Sequence, residues 1–513
     1  MKIEIDQESF DKNGFFRFMK KVYPYVLYVI AAGILLLQFS LTFDNVLWGD
    51  EAFAASTVKH DISGILQIVH FWDSHPPFYY FWLRTFTLIF GFNGWALHFA
   101  SYICFFAVCI FAMTVFRKRY GKRAALILII FTGLSSSCAE YVQEIRMYEL
   151  AFMFIFFALY ALGCVIRTGR MIYYVPAVIC ALGAAYSHYY ALMLAGIMLF
   201  FTGVIIQIRF GGKSFLKGII SIAAYVLGYI PWIPEVLYKF TERTGGNWWM
   251  TANSPVNECI AIMFGSLSFF KIVLITVILG SVIMFLLESG MLTLAKDKEK
   301  TILISAPVIK DLSAEMWIVI LGIVSILAQL AVLFVGSRIM VPMIAKRYLY
   351  PCTAIVAYLF AVCISCSLSD VKVFEKNAWK FMKAVCNLIV VFVLVIGLKD
   401  FRIYRSVAKQ EKAATEQFLG FIDSSDKKGK DLVLVNNGVT HIGWTVLEYY
   451  YPDAEIINGG YDSTDADDFW LFSTTVIDQD TINHMTYERG YNWDDYNVQQ
   501  ISKYPCFMYH FYK

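Results

Sequence analysis

Apolar runs long enough to cross a bilayer recur from one end of this chain to near residue 400. They lie near 23–43, 95–116, 124–139, 149–166, 171–187, 190–208, 218–234, 260–288, 315–335, 347–368 and 379–399. Backbone N–H and C=O groups in hydrocarbon must find partners within their own segment, so runs of this kind fold as α-helices packed side by side. Composition agrees: 58% of residues are hydrophobic and 16% charged, with a mean hydropathy of +0.58, against roughly 25% charged residues in soluble domains. A soluble fold is excluded. The net charge of +3 is too small to point to nucleic acid. Most of the eleven cysteines, such as Cys104 and Cys164, sit inside apolar runs, and only Cys506 lies well inside the polar C-terminal part. Neither a disulfide framework nor zinc-ligand spacing is expected. Lys20 and Lys21 precede a first run that lacks a small-residue cleavage site, so it reads as a retained anchor.

Positive charge orders these helices across the membrane. The stretch Pro77 to Phe90 is apolar but has only fourteen residues, short of the ~20 a span needs, and reads as re-entrant or interfacial. With it left out, one side receives Arg117-Lys118-Arg119 with Lys122-Arg123, Arg167 and Arg170, Arg209 with Lys213 and Lys217, Lys296, Lys298 and Lys300, and Lys372 to Lys383. By the positive-inside bias that side is cytoplasmic. The expectation is an α-helical polytopic protein of the cell membrane with about eleven spans, N-terminus inside and C-terminus outside. Residues 1–400 form the membrane domain, in which 44–94 is a first external loop. There, Val58, Ile62, Ile65, Leu66 and Val69 recur at helical spacing, as in an interfacial helix or one packed on an external domain. Residues 401–513 turn rich in Asp, Asn and Tyr. A strand at 431–435, a helix near 441–451 and a strand at 454–457 suggest a small extracytoplasmic α/β domain.

The external ends of the spans carry the reactive side chains. Trp48-Gly49-Asp50-Glu51 places two carboxylates directly after the first span, where one can serve as general base. Charged residues often open such loops, so the pair alone carries little. Asp73, then His75-Pro76-Pro77-Phe78-Tyr79-Tyr80, holds an imidazole in a rigid, non-helical entry; a turn with an aromatic belt is the plainer reading. In Gln143-Glu144-Ile145-Arg146-Met147-Tyr148 the spacing lets side chains converge on a helical turn, and Arg146 either bridges to Glu144 or meets an anionic ligand. Ser187-His188-Tyr189-Tyr190, Arg243 with Asn247-Trp248-Trp249, and Arg338 with Lys346-Arg347-Tyr348 lie at further external ends. The tryptophans read first as interface anchors. Lys346 and Arg347 run against the positive-inside bias. A base with several guanidinium clamps on one face suits a lipid-phosphate leaving group. A transporter or lipid flippase is the rival reading, although no internal repeat or midplane charge is evident.

These motifs resemble the GT-C superfamily of membrane glycosyltransferases, in the branch of the protein O-mannosyltransferases and lipid A aminoarabinose transferases. The likeness covers roughly residues 20–400 and rests on the order and sidedness of Asp50-Glu51, the His-Pro-Pro-aromatic string, Gln143-Glu144-x-Arg146-Met-Tyr148, and Arg347-Tyr348-Leu349 before Pro351. It implies a polyprenyl-phosphate-linked sugar as donor and inversion at the anomeric carbon. It also implies Asp50 as catalytic base, with the donor phosphate on His75, Arg146 and Arg347, and on Arg338. Tyr79, Gln143, Glu144, Tyr148, His188, Lys346 and Tyr348 complete the expected substrate-binding set. Glu51 orients Asp50, binds acceptor or helps hold a divalent cation. The aminoarabinose transferases carry lysine before the two prolines, whereas the mannosyltransferases carry histidine, as here. The Trp-Trp-Asp motif of the oligosaccharyltransferases is absent, since Trp248-Trp249 precedes Met250-Thr251. The sugar and the acceptor, whether protein, lipid or envelope glycan, stay open.

Overall fold

The computed structural model describes residues 14–43, 46–242, 250–288, 292–294, 302–304, 312–369, 376–437, 441–473, 475–496 and 507–513. The Arg243–Trp249 segment, the lysines at 296, 298 and 300, Lys372 and Cys506 lie outside these residues. The first part is helical: α1 (Gly14–Leu41), α2 (Gly49–Thr57), α3 (Ile62–Phe71), α4 (Phe78–Phe90), α5 (Gly94–Phe111), α6 (Arg117–Leu134), α7 (Ser136–Gln143) and α8 (Tyr148–Thr168). Then come α9 (Tyr174–Ser187), α10 (Tyr189–Phe210), α11 (Ser214–Tyr229), α12 (Ile233–Glu242), α13 (Val256–Met263) and α14 (Leu267–Glu288). A short hairpin of β1 (Leu292–Leu294) and β2 (Ile302–Ile304) leads to α15 (Ala314–Ile339), α16 (Tyr350–Ser369) and the 48-residue α17 (Lys376–Asp423).

Among the described residues seven helical stretches are long and apolar enough to cross a membrane: 94–134, 148–168, 189–210, 214–242, 267–285, 314–339 and 346–364. Gly121, with φ 84° and ψ 174°, turns the chain inside the first of them. Such a conformation favours glycine. The apolar stretches Tyr25–Leu41 and Met171–Ser187 are shorter. α8 and α16 form the centre of the bundle; α8 packs on α5, α9, α10, α15 and α16. Helices α10 and α11 approach through Gly203 and Gly218, where a Cβ on Gly218 would meet the Gly203 Cα at 2.6 Å. Small residues permit such backbone contact in lipid-facing bundles.

Of the charged side chains assigned to one face of the membrane, Arg119, Arg167, Arg209 and Lys217 share one end of the bundle. Arg119 Nε and Arg167 Nε donate to Glu315 at 3.0 and 3.1 Å, Lys217 donates to the Gly169 carbonyl at 2.8 Å, and Arg209 to the Leu312 carbonyl at 2.9 Å. At the opposite end α4, expected as a re-entrant or interfacial segment, is a 13-residue helix, about 20 Å long. Asp61 caps α3 by accepting from Gly64 N–H at 2.8 Å. Of its apolar stripe, Ile65 and Val69 are buried while Ile62 and Leu66 are exposed.

The C-terminal segment is the α/β unit expected from its strand, helix, strand pattern. Strands β3 (Val433–Asn437), β4 (Glu455–Asn458), β5 (Asp468–Ser473), β6 (Asn492–Tyr496) and β7 (Phe507–Tyr512) order as β4-β3-β5-β7-β6. β3 is parallel to β4 and β5, with α18 (His441–Tyr450) as the crossover; β7 is antiparallel to β5 and β6. Side chains alternate along each strand. Leu434, Trp470 and Phe472 face the end of α17, through Phe418 and Ile422, and Leu447 of α18; Val433, Val435, Phe469 and Leu471 face the other layer. The expected boundary at 400/401 falls within the continuous α17.

Candidate active site

Asp50 and Glu51 occupy the first turn of α2, where the helix N-terminus favours carboxylates. Successive helical residues point about 100° apart, and the two acids diverge accordingly. Glu51 turns inward and is 4% exposed. Its Oε2 accepts from Trp48 N–H at 3.1 Å, closing the helix end, and its Oε1 accepts from Ile145 N–H at 2.9 Å. It pins α2 to the turn that carries Arg146. Asp50 faces the other way, and its Oδ2 accepts from Arg347 Nη1 at 2.7 Å. Arg347 comes from the single 3-10 turn Lys346–Leu349 that precedes α16.

The Asp73–Pro77 turn supplies the next layer. Pro76 and Pro77 fix an entry into α4, and Asp73 is buried beneath it. Asp73 Oδ1 accepts from His75 Nδ1–H at 2.9 Å and Ser74 N–H at 2.6 Å, and Oδ2 accepts from the Tyr80 hydroxyl. Arg146 Nη2 lies 3.8 Å from the same carboxylate, and its Nη1 donates to Tyr80 Oη at 3.2 Å and the Asp50 carbonyl at 3.5 Å. Burial alone raises the Asp73 pKa, but the charges of its neighbours and the hydrogen bonds from His75 and Tyr80 hold it well below the usual carboxylate range. His75 is pushed below its ordinary value by burial, partly offset by Asp73, with Arg146 and Arg347 adding to the fall. It is therefore a neutral imidazole whose proton sits on Nδ1 toward Asp73. The 3.2 Å approach of Arg146 Nη2 to Nδ1 is then a close contact between two donor groups. Arg146 Nε is buried without a hydrogen-bond partner among the described residues.

His188 stands beside this cluster, its ring centroid 5.3 Å from that of His75, 5.6 Å from Tyr148 and 5.2 Å from Tyr348. As N-cap of α10 its Nδ1 accepts from Tyr190 N–H at 3.1 Å, which places the proton of a neutral ring on Nε2. Burial, with His75 and the two arginines, depresses its pKa strongly. His188 Nε2 and the Tyr148 hydroxyl are both buried without a partner among the described residues. Buried donors of this kind are costly unless a ligand or water meets them. His75, His188, Tyr190 and Tyr348 form the polar wall of a cavity of about 250 Å³; Met193, Val236, Phe240 and Met343 make its apolar side.

The profile of the dolichyl-phosphate-mannose-protein mannosyltransferases matches residues 74–238, which include His75, Arg146 and His188. No curated protein matches the sequence. Two solved structures of ArnT from Cupriavidus metallidurans are similar over 94% of this chain and 97% of theirs. The apo form has a TM-score of 0.56 at 11% identity, and the form bound to undecaprenyl phosphate a TM-score of 0.56 at 12% identity. The fold is GT-C.

This GT-C bundle gathers Asp50, His75, Arg146, Tyr148, His188, Arg347 and Tyr348 at one end and directs other expected residues elsewhere. Tyr79 turns to α5, where its hydroxyl meets Ser101 Oγ at 3.1 Å. Gln143 Nε2 donates to the Gln38 carbonyl and side chain of α1, each at 2.9 Å. The Glu144 carbonyl accepts from Ser101 Oγ at 2.7 Å. Lys346 reaches Glu258 at 2.7 Å on the surface, and Arg338 is exposed over the Phe334 ring at 5.1 Å. The helical turn expected at 143–148 is absent: α7 ends at Gln143, Glu144 is extended (φ −66°, ψ 128°), and α8 starts at Tyr148. Arg146 accordingly pairs with Asp73 rather than with Glu144. Asp73 and Tyr80 join the site through contacts across the Asp73–Tyr80 turn; the signal in the sequence is the helical phase of Tyr80, which follows Pro77 by three residues. Glu51, Glu140, Glu144 and Glu411 border a further cavity of about 120 Å³, and among the described residues no three metal-ligating groups converge.

Proposed function

We propose that this chain is an inverting glycosyltransferase that moves a sugar from a polyprenyl-phosphate-linked donor to an extracytoplasmic acceptor, with Asp50 as general base. The Asp50–Arg347 pair, with Arg146 on the Asp50 carbonyl and with His75 and His188 lining a part-apolar cavity, carries this reading. The GT-C fold, the mannosyltransferase profile and the undecaprenyl phosphate bound to the similar ArnT structure support it. The acceptor hydroxyl or amine attacks the anomeric carbon as the bond to the phosphate oxygen breaks, and Asp50 takes the acceptor proton. Protonation removes the carboxylate charge that faces Arg347. The guanidinium is then released to the phosphate at the moment its negative charge develops. Arg146, the Nε2–H of His188 and the Tyr148 hydroxyl are further donors for that phosphate. Glu51 positions Asp50 by fixing the start of α2.

In this reading the chain makes eleven spans in the cell membrane, with its N-terminus in the cytoplasm and its C-terminal domain outside. A cysteine at Asn93 labelled only from the cytoplasm would overturn that topology. The activity is tested with a radiolabelled polyprenyl-phosphate sugar, purified protein and Asp50→Asn. Transfer by the wild type and at least ~10²-fold less by the variant is expected, in the range general-base removal produces. Undiminished transfer by Asp50→Asn refutes the base, and no transfer from any such donor refutes the function.

A further inference from the structure

The C-terminal domain rests on the helix that bears Asp50. Thr445 Oγ1 of α18 donates to the Gly49 carbonyl at 3.2 Å, and the Tyr450 hydroxyl accepts from Leu47 N–H at 3.4 Å. Residues 50, 53 and 57 recur on one face of α2. Phe53 and Thr57 continue that face into the wall of a second cavity, of about 750 Å³, within the roughly 300–1,000 Å³ of ordinary ligand sites. Its facing wall is Thr445 and Glu448 of α18 with Asn458 of β4, and its remaining sides come from α3 and α12. The membrane bundle and the C-terminal domain enclose it together.

The lining selects a class of ligand. Among the described residues that line it, Lys239 is the only lysine or arginine, and its ammonium donates to the His70 carbonyl and lies 3.8 Å from Glu235. Glu242 and Glu448 place two carboxylates on the same cavity. A phosphate- or carboxylate-bearing ligand would meet like charge there, with no uncommitted lysine or arginine among the described lining residues to answer it. An acyl chain would desolvate the carboxylates and the Asn458 amide without replacing their hydrogen bonds. The apolar lining is mostly aromatic: Phe53, Phe71, Trp72, which is 74% exposed, and Tyr238, on which the His70 ring stacks at 4.4 Å, with Ile68 as its aliphatic member. Aromatic faces beside carboxylate and amide groups are what a pyranose needs, with C–H bonds against the ring and hydroxyls donating to oxygen acceptors. We propose that this cavity is the acceptor subsite and takes a neutral, hydroxyl-rich glycan, held between Trp72 and the Glu448 and Asn458 side chains. This rests on the glycosyltransferase reading and names the acceptor class for the same centre.

Saturation-transfer NMR on the full chain in lipid nanodiscs tests the proposal, with mannotetraose, cellotetraose and chitotetraose as probes. A phosphorylated tetrasaccharide and a Ser/Thr-rich peptide serve as contrasts. At least one neutral tetrasaccharide is expected to bind the wild type, with affinity falling about tenfold in Trp72→Ala and in Glu448→Ala as stacking and hydrogen bonds are lost. Because Trp72 is exposed, its removal leaves the fold intact, and Trp72→Phe is expected to restore most of the binding. Binding of none of the neutral probes, binding of the peptide or the phosphorylated sugar alone, or binding by both alanine variants as tight as that of the wild type overturns the proposal. Binding of undecaprenyl phosphate, measured on the same samples, reads the donor site separately. Its loss in the wild type would refute the donor assignment rather than the acceptor class.

Discussion

Replacing Asp73 by asparagine and Arg146 by methionine, singly and together, measures the ion pair that underlies the site. Both side chains are nearly fully buried, 6% and 4% exposed, with 3.8 Å between Nη2 and Oδ1. At an effective dielectric constant of about 20 this separation corresponds to roughly 4 kcal/mol of attraction. Removing either partner leaves the other charge buried, at a cost of about 3–5 kcal/mol. Removing both removes the orphan charge as well, so the cycle is expected to show a coupling of about 2–4 kcal/mol. The assay is equilibrium unfolding in mixed micelles, titrated with a denaturing detergent and followed by tryptophan fluorescence. A coupling below about 0.5 kcal/mol, the level of an exposed surface pair, would refute the assignment of Asp73 as the counter-charge of Arg146.

His75 and His188 both have folded pKa values below the ordinary 6.5, so the unfolded chain binds more protons below that pH. Stability should be level above about pH 6.5 and fall on acidification by about 1.4 kcal/mol per pH unit for each imidazole kept neutral, with His188→Gln removing about half the slope. Asp73 acts in the same direction but over a lower pH range. Its depressed pKa stabilises the fold fully above the unfolded value of 3.8 and loses that contribution only at lower pH, so an acid limb starting near 6.5 belongs to the histidines. Glu51→Gln should cost about 1.5–3 kcal/mol by turning one oxygen that faces a main-chain N–H into a second donor, and should lower kcat while leaving undecaprenyl phosphate affinity unchanged. Gly121→Ala has open space around the new Cβ, so its cost is conformational, about 1–3 kcal/mol from the extended positive-φ backbone that only glycine adopts readily, read as a lowered unfolding midpoint. Thr445→Val with Tyr450→Phe removes two hydrogen bonds worth about 0.5–1.5 kcal/mol each. Faster hydrogen exchange across residues 46–52 is expected, and unchanged exchange would show that α18 does not hold α2.

The apolar runs were legible because hydrocarbon admits few backbone solutions: length and hydropathy alone specify helices, and the alternating strands of the C-terminal unit are as plain. The share of positive charge between runs correctly grouped Arg119, Arg167, Arg209 and Lys217 at one end and Asp50, His75, Arg146 and Arg347 at the other. Local spacing was a poorer guide. The string 143–148 has helical spacing, yet Glu144 is extended, because Glu51 accepts from Ile145 N–H and fixes a turn there. Tyr79 and Tyr80 are adjacent, and only the rotation of α4 against α5 decides that Tyr79 meets Ser101 while Tyr80 meets Asp73 and Arg146. Lys346 and Arg347 part in the same way, one to Glu258 and one to Asp50. By itself, then, the sequence determined the helical membrane architecture, the α/β character of the C-terminal unit and the end of the bundle that carries the chemistry. These depend on solvent and periodicity. Only the tertiary structure decided that Asp50 pairs with Arg347, that Glu51 faces the backbone, and that α18 closes a cavity against α2. Those contacts join residues 94 to 403 positions apart, and no local rule ranks such partners until packing has set the rotation of each helix.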